Sequence, residues 1–315
     1  MPDTPAVLVD SLTRCFGSRI ALDAVSFDVA SGCLLALLGP NGSGKTTLFS
    51  ILTTMLAPTS GRAEIEGFDV SSRPDAVRRC IGVVFQHPAL DRRLTVRENL
   101  RHHGHLYGLS GAALNRRITD WMNRLAVADR ADDLVDKLSG GLRRRAELAK
   151  ALLHQPRILI LDEPSSGLDP AARLSLMESL RELTRDGVTV LLTTHLMEEA
   201  DRCDQVAVLD RGKLVAHDTP DSLKRSIGGD VLTLKTKNPV ELAKQLSERF
   251  HVPAEAWDGT VRLEHPRGHE LLAGILGSFA REIESVTVGK PTIEDVFVHL
   301  TGRRLTDSVS LVLRP

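Results

Sequence analysis

Apolar residues change their spacing several times along the chain, and each change marks a different kind of element. Near the N-terminus they form short runs between glycine-rich turns, at residues 6–9, 25–29 and 34–38, which read as strands. The third run leads directly into Gly39-Pro40-Asn41-Gly42-Ser43-Gly44-Lys45, after which residues 46–56 carry helical spacing. From about Thr95 the texture becomes helical. Thr95-Val96-Arg97-Glu98 has the form of a capping box, and Leu114, Ile118, Met122 and Leu125 recur so that they share one helical face. A mostly helical insertion is therefore expected between about 90 and 137.

Strand character returns at 158–161 and 189–193, with a helix at 173–184 between them. That alternation is expected of a parallel sheet, so the core reads as α/β. Beyond Gly228-Gly229 the pattern gives a strand at 231–234, a helix at 240–249, short strands near Ala256 and at 261–263, a helix at 270–281 and a strand at 286–288. The order βαββαβ suits a small ferredoxin-like or split βαβ module. No internal repeat is visible.

With 42% hydrophobic and 26% charged residues, the 315-residue chain can hold one large globular domain and a smaller one. A formal net charge of -1 gives no field for attracting phosphate backbones, so bulk electrostatic binding of nucleic acid is not indicated. The apolar runs at 34–38 and 158–161 fall far short of the roughly 20 residues that cross a bilayer. Met1-Pro2-Asp3-Thr4-Pro5 lacks the basic start and apolar core of a secretory signal, which points to the cytosol. Cys15, Cys33, Cys80 and Cys203 have no paired spacing and read as reduced apolar fillers. His102, His103 and His105 lie close together but lack regular ligand spacing and a carboxylate partner, so they read as a solvated helix face.

Two motifs carry chemistry. Gly39-Pro40-Asn41-Gly42-Ser43-Gly44-Lys45-Thr46 satisfies G-x-x-x-x-G-K-[ST] between an apolar strand and a helix, the context in which that pattern cradles phosphates. The glycines let backbone N–H groups turn inward, the helix start adds its positive dipole end, and Lys45 is expected to reach the β and γ oxygens. Thr46 would place its hydroxyl on Mg²⁺. The bland alternative is a glycine-rich turn that matches by chance. The run at 158–161 delivers Asp162 and Glu163 at a strand's C-terminal end, where ligands bind in open α/β sheets. Asp162 is placed to hold Mg²⁺ through water, and Glu163 to accept a proton from, or orient, water attacking the γ-phosphate. A solvated acidic strand end is the alternative.

Leu138-Ser139-Gly140-Gly141-Leu142 precedes Asp162-Glu163 and opens a helix at 143–153. This segment resembles the signature motif of ABC-transporter ATPases. Gln86, after a strand at 82–85, resembles the Q-loop, Gly167-Leu168-Asp169 the D-loop and His195 the switch histidine, so the likeness covers roughly residues 1–225. The resemblance implies a P-loop NTPase (RecA-like) core with a mostly helical subdomain at about 90–150. Residues 230–303 would then be a small α+β accessory domain and 304–315 a tail. The implied cofactors are ATP and Mg²⁺, with Phe16, Gly39, Pro40, Asn41, Gly42, Ser43, Gly44, Lys45, Thr46, Thr47 and Gln86 as the ATP-binding set.

By the same resemblance Phe16 stacks on adenine, although a core position is the alternative. Gln86 meets Mg²⁺ and the helical region, Thr46 and Asp162 complete the metal set, and Glu163 and His195 are catalytic. Two such domains are implied to pair head to tail, as a homodimer or heterodimer, with Ser139, Gly140, Gly141 and Asp169 touching the partner's ATP. A helix N-terminus bearing Ser139, Gly140 and Gly141 suits a negative γ-phosphate. Where the signature usually ends in Gln the chain has Leu142, which cannot make that residue's polar contact. His195 could also be a satisfied core histidine. Arg143-Arg144-Arg145 falls on the signature helix rather than in a nucleic-acid patch.

The run Thr193 to Asp201, the hairpin-like Leu209 to Leu214 and the stretch Thr292 to Arg303 are similar to bacterial exporter ATPases of the daunorubicin-resistance type. Such proteins imply efflux of drugs, lipids or polysaccharides through a separate transmembrane permease, from a peripheral position on the cytoplasmic face of the membrane. A soluble ABC ATPase acting on ribosomes or nucleic acid is the rival reading. It would usually carry a long coiled-coil insertion or a second ATPase domain. A small P-loop kinase is a second rival and would have no use for Leu138 to Gly141 or His195.

Overall fold

The computed structural model describes residues 4–257 and 259–302 of the chain, so Arg303 and the expected 304–315 tail lie outside it, as do residues 1–3. The described chain divides into two compact units between His217 and Asp218.

In the first unit, β1 (Val7–Phe16) and β2 (Arg19–Val29) form an antiparallel hairpin in which Leu22, Val25, Phe27 and Val29 turn inward at near-alternate positions. β1 runs well beyond the strand expected at 6–9. Ser11 adopts φ 51° and the ladder shifts register between Val9 and Leu12, so the alternation breaks while the strand continues. β3 (Leu34–Leu38) is buried throughout and delivers the chain to α1 (Lys45–Leu52). That helix stops short of residue 56 because Thr54 turns left-handed at φ 62°. β4 (Ser60–Ile65) and β5 (Phe68–Asp69) complete an antiparallel sheet ordered β2-β1-β4-β5. α2 (Pro74–Cys80) then leads to β6 (Ile81–Val84).

The helical region holds α3 (Val96–Leu106), α4 (Gly111–Arg124), two single 3₁₀ turns and α5 (Gly140–Leu152). Thr95 and Glu98 close both halves of the capping box ahead of α3, and Leu114, Ile118 and Met122 form the buried face of α4. Next come β7 (Ile158–Asp162), α6 (Pro170–Arg185), β8 (Thr189–Thr194), α7 (Met197–Ala200), β9 (Gln205–Asp210) and β10 (Lys213–Asp218). The second sheet is ordered β10-β9-β3-β8-β7-β6, and its strands from β9 to β6 are parallel. Its near-continuous apolar strands, such as Ile158 to Leu161, are what a sheet covered on both faces requires.

The second unit contains α8 (Pro220–Arg225), β11 (Asp230–Thr236), α9 (Pro239–Phe250), β12 (Ala254–Trp257), β13 (Thr260–His265), α10 (Gly268–Phe279), β14 (Ile283–Gly289) and α11 (Ile293–Thr301). From β11 to β14 the elements run βαββαβ, with the antiparallel sheet order β12-β13-β11-β14 of a ferredoxin-like module. Leu232, Leu234, Leu242, Leu246, Val261, Leu263 and Ile275 form its core. α11 was not anticipated from the pattern. Its start is a capping box built from Thr292 and Asp295.

One sequence expectation about side chains changes. His102 and His105 are exposed, but His103 is half-buried and its ring packs with those of Tyr107 and His154. Burial, with Lys150 and His154 nearby, pushes the His103 imidazole down to about 4. Among the described residues no group of three or more His, Cys, Asp or Glu could hold a metal ion in the protein alone. All four cysteines are free, and burial raises the Cys33 thiol to about 11.

Candidate functional site

Two glycines of the loop between β3 and α1 sit where contacts leave no room for a side chain. A Cβ on Gly39 would lie 2.3 Å from the Leu209 carbonyl oxygen. Gly44 caps α1 at φ 109°, where a Cβ would fall 2.6 Å from the Ala21 carbonyl oxygen. Buried within this turn, Lys45 Nζ donates to the carbonyls of Gly39 at 2.7 Å and Pro40 at 3.0 Å. Burial pulls the ammonium's pKa down, while Glu163 and Asp162 oppose that shift. Ser43 Oγ is buried without a hydrogen-bond partner.

β7 lies one strand away from β3, with β8 between them, and carries Asp162 and Glu163 to the same end of the sheet. Burial raises the Asp162 carboxyl above the ordinary value, and hydrogen bonding from Thr193 works against it. Thr193 joins the two acids: its hydroxyl donates to Asp162 Oδ1 at 2.5 Å and accepts from Glu163 N at 2.9 Å. Glu163 sits at φ 42°, a left-handed conformation that is uncommon for residues other than glycine.

The Glu163 carboxylate is the meeting point of the site. Gln86 Nε2 donates to its Oε2 at 3.3 Å, His195 Nδ1 lies 3.4 Å from the same oxygen without hydrogen-bond alignment, and Lys45 Nζ is 3.8 Å from Oε1. His195 follows β8 in a turn held by its neighbour: Thr194 Oγ1 donates to the buried Glu199 at 2.6 Å and accepts from Leu196 N. Lys45, Gln86 and Glu163 line a cavity of about 330 Å³ together with Asn41, Gly42, Gly44, Thr46, Thr47, Arg19 and Ala21. Phe16 does not line it. It pairs with Arg19 across the β1–β2 hairpin, is 47% exposed, and has the Arg14 guanidinium 4.6 Å from its ring centroid.

A second cavity of about 360 Å³ has Ser139, Gly140, Gly141, Gly167 and Asp169 in its lining. Here two helix starts converge. Ser139 caps α5 by accepting from Leu142 N at 3.3 Å, and Asp169 caps α6 by accepting from Ala172 N at 2.9 Å. A Cβ on Gly141 would lie 3.3 Å from that of Ala172, a tight contact that α6 would have to yield to by a few tenths of an ångström. Arg145 lines this cavity as well and donates to Ser175 Oγ at 2.9 Å. The two cavities share no lining residue.

The structure thus gathers Lys45, Asp162, Glu163, Gln86 and His195 at one place and Ser139, Gly140, Gly141 and Asp169 at another. Sequence reasoning missed Thr193, Arg19, Glu199 and Arg145. Thr193 was legible only as a strand-forming residue and as the start of the run to Asp201, because the pairing of β8 with β7 that brings it to Asp162 has no local trace.

Known proteins resemble this chain along nearly its whole length. Residues 22–166 match the ABC transporter family. The daunorubicin resistance ATP-binding protein DrrA3 of Streptomyces coeruleorubidus is 39% identical over 308 residues, covering 96% of this chain and 97% of that protein. The Nod factor export ATP-binding protein I of Rhizobium meliloti is 38% identical, covering 96% and 90%. Among solved structures, an ATP-binding subunit of an ABC transporter superposes with a TM-score of 0.64 at 31% identity, over 71% of this chain and 94% of that one. For cbiO1 from Clostridium perfringens, part of the ABC transporter complex cbiONQ, the TM-score is 0.66 at 26% identity, over 78% and 96%. Identity at this level along nearly the whole chain leaves one conclusion: the protein belongs to the ATP-binding subunits of ABC transporters, and it binds and hydrolyses ATP.

Proposed function

We propose that this chain powers export through a separate membrane-spanning permease, bound to it at the inner face of the cell membrane. Its similarity to ATP-binding proteins named for daunorubicin resistance and Nod factor export supports an exported cargo of the drug, lipid or polysaccharide kind. Among the described residues no helix is long and apolar enough to cross a membrane, which agrees with a separate permease.

The convergence of Lys45, Gln86 and His195 on Glu163 carries the mechanistic reading. The loop from Gly39 and Pro40 to Gly44 cradles the phosphates through the backbone N–H groups of Asn41, Gly42 and Gly44 and the Ser43 hydroxyl, with Lys45 neutralising the β and γ oxygens and Thr47 beside them. Phe16 stacks on the adenine. Glu163 orients the attacking water and takes its proton, and His195 bonds the γ-phosphate. Thr46, Asp162 and Gln86 offer hard oxygen donors, with the Thr46 hydroxyl and Asp162 near enough to interact, and this set suits Mg²⁺. When bound, the ion neutralises charge on the β- and γ-phosphates. Glu163→Gln should retain ATP binding while turnover falls by roughly 10²- to 10⁴-fold, as for loss of a general base. Unchanged turnover in that variant removes Glu163 from the role.

Two cavities without a common wall support pairing. We infer that two ATPase subunits, identical or related, meet head to tail so that Ser139, Gly140, Gly141 and Asp169 of one complete the nucleotide cage of the other. Domain 1–225 supplies this machinery. The accessory domain at 230–303 regulates or stabilises the pair or contacts the permease, and removing the residues after Gly228 should impair assembly or coupled ATP turnover.

A further inference from the structure

A buried ion pair lies between the two halves of the site and belongs to neither. Arg144 and Glu147 in α5 have side chains only 6% and 3% exposed, with Arg144 Nη1 2.9 Å from Glu147 Oε2. Both grip the main chain of the segment that follows β6. Arg144 Nη1 donates to the Phe85 carbonyl at 2.8 Å and Nη2 to the Gln86 carbonyl at 3.3 Å. Glu147 Oε1 accepts from Ala89 N at 2.6 Å, and Lys150 Nζ donates to the Ala89 carbonyl at 2.8 Å. One face of α5 thus holds both ends of residues 85–89. A well-packed apolar pair would fill the same space without the cost of desolvating two charges, so stability alone is a weak reason for this pair.

Its connections suggest a better one. The clamped segment carries Gln86, whose amide reaches Glu163, while the clamping helix begins at Ser139 in the second cavity. We propose that Arg144 and Glu147 are positioning residues that couple the two half-sites, so that Gln86 and the Ser139-Gly140-Gly141 tip move as one body. This rests on the roles given above to Gln86 and to the signature tip. A planar guanidinium can fork two successive carbonyls, and pulling Gln86 away from it would leave buried N–H donors without an acceptor. Dragging the helix along is the easier displacement. Nucleotide engagement in one subunit's phosphate loop is thereby transmitted to the cap it offers its partner.

The test uses the full-length chain, comparing Arg144→Met/Glu147→Leu, Arg144→Lys and Gln86→Ala for ATP affinity, KM and kcat. The apolar pair keeps the volume filled, and Arg144→Lys keeps the charge but cannot fork both carbonyls. Either variant should lower kcat by about tenfold or more while KM and ATP affinity stay within about threefold of the parent, the pattern of a lost transition-state interaction. Combined with Gln86→Ala, either should add less than about a twofold further loss, because residues acting through one another are non-additive. A merely structural pair would give multiplicative losses, and that result, or a parental kcat in Arg144→Lys, overturns the proposal. If Gln86→Ala itself turns over ATP normally, the role of Gln86 fails and the coupling fails with it. A slow Gln86→Ala beside a normal Arg144→Lys rejects the coupling alone.

Discussion

Glu163 illustrates how much a single residue owes to its surroundings. Its left-handed backbone is unfavourable for a side chain bearing Cβ, and the hydrogen bond from its N–H to Thr193 Oγ1 helps to hold it there. Thr193→Val removes that acceptor and the hydroxyl that bonds Asp162 while keeping the shape. It should lower kcat by about tenfold, since a hydrogen bond to a charged group is worth about 1.5–3 kcal/mol, with circular dichroism unchanged. For Lys45→Ala, loss of a similar charge-assisted contact to the phosphates should weaken ATP binding by about tenfold or more, measurable by titration. Lys45, Asp162 and Glu163 were nameable from the chain because a phosphate-binding turn and a strand-end acid pair call for those residue types, whereas Gln86 and His195 were named through the family resemblance. Thr193 was not, because a β-branched residue closing a strand has an ordinary structural reading. Arg19 was missed for a different reason: only the hairpin pairing brings it to the cavity.

Elements were legible where one periodicity ran without interruption. β3 and the buried face of α4 lie where the pattern put them, because burial on both faces or on one stripe leaves a direct trace in sequence. α5 begins at Gly140 rather than 143, since two glycines of poor helix propensity disguise a first turn that Ser139 caps. The contact of α3 with the end of α5 brings a pH dependence. The folded value of about 4 for His103 lies below the ordinary 6.5, so neutral His103 favours the fold fully above about pH 6.5. That stability is lost as pH falls toward 4. Burial moves His154 in the same direction. Melting temperature should therefore fall between pH 7 and 5, and fall less in His103→Phe, where the buried ring cannot be protonated. An equal slope in both proteins would remove His103 as the source.

At the scale of the whole molecule, the proposed pairing predicts that Glu163→Gln with ATP and Mg²⁺ should run as a dimer in light scattering and return to its ATP-free size on nucleotide removal. A particle unchanged by ATP would count against the sandwich. Local sequence was enough to determine an α/β core with a phosphate-binding turn, a helical insertion and a βαββαβ module, because each depends on spacing or residue type within a few neighbours. Strand order, the bulge that prolongs β1, the gathering of Gln86, Thr193 and His195 around Glu163, and the grip of Arg144 on residues 85–89 were decided only by the tertiary structure. Those contacts join positions tens of residues apart, and a hydrogen bond between distant partners leaves no periodic trace in either segment.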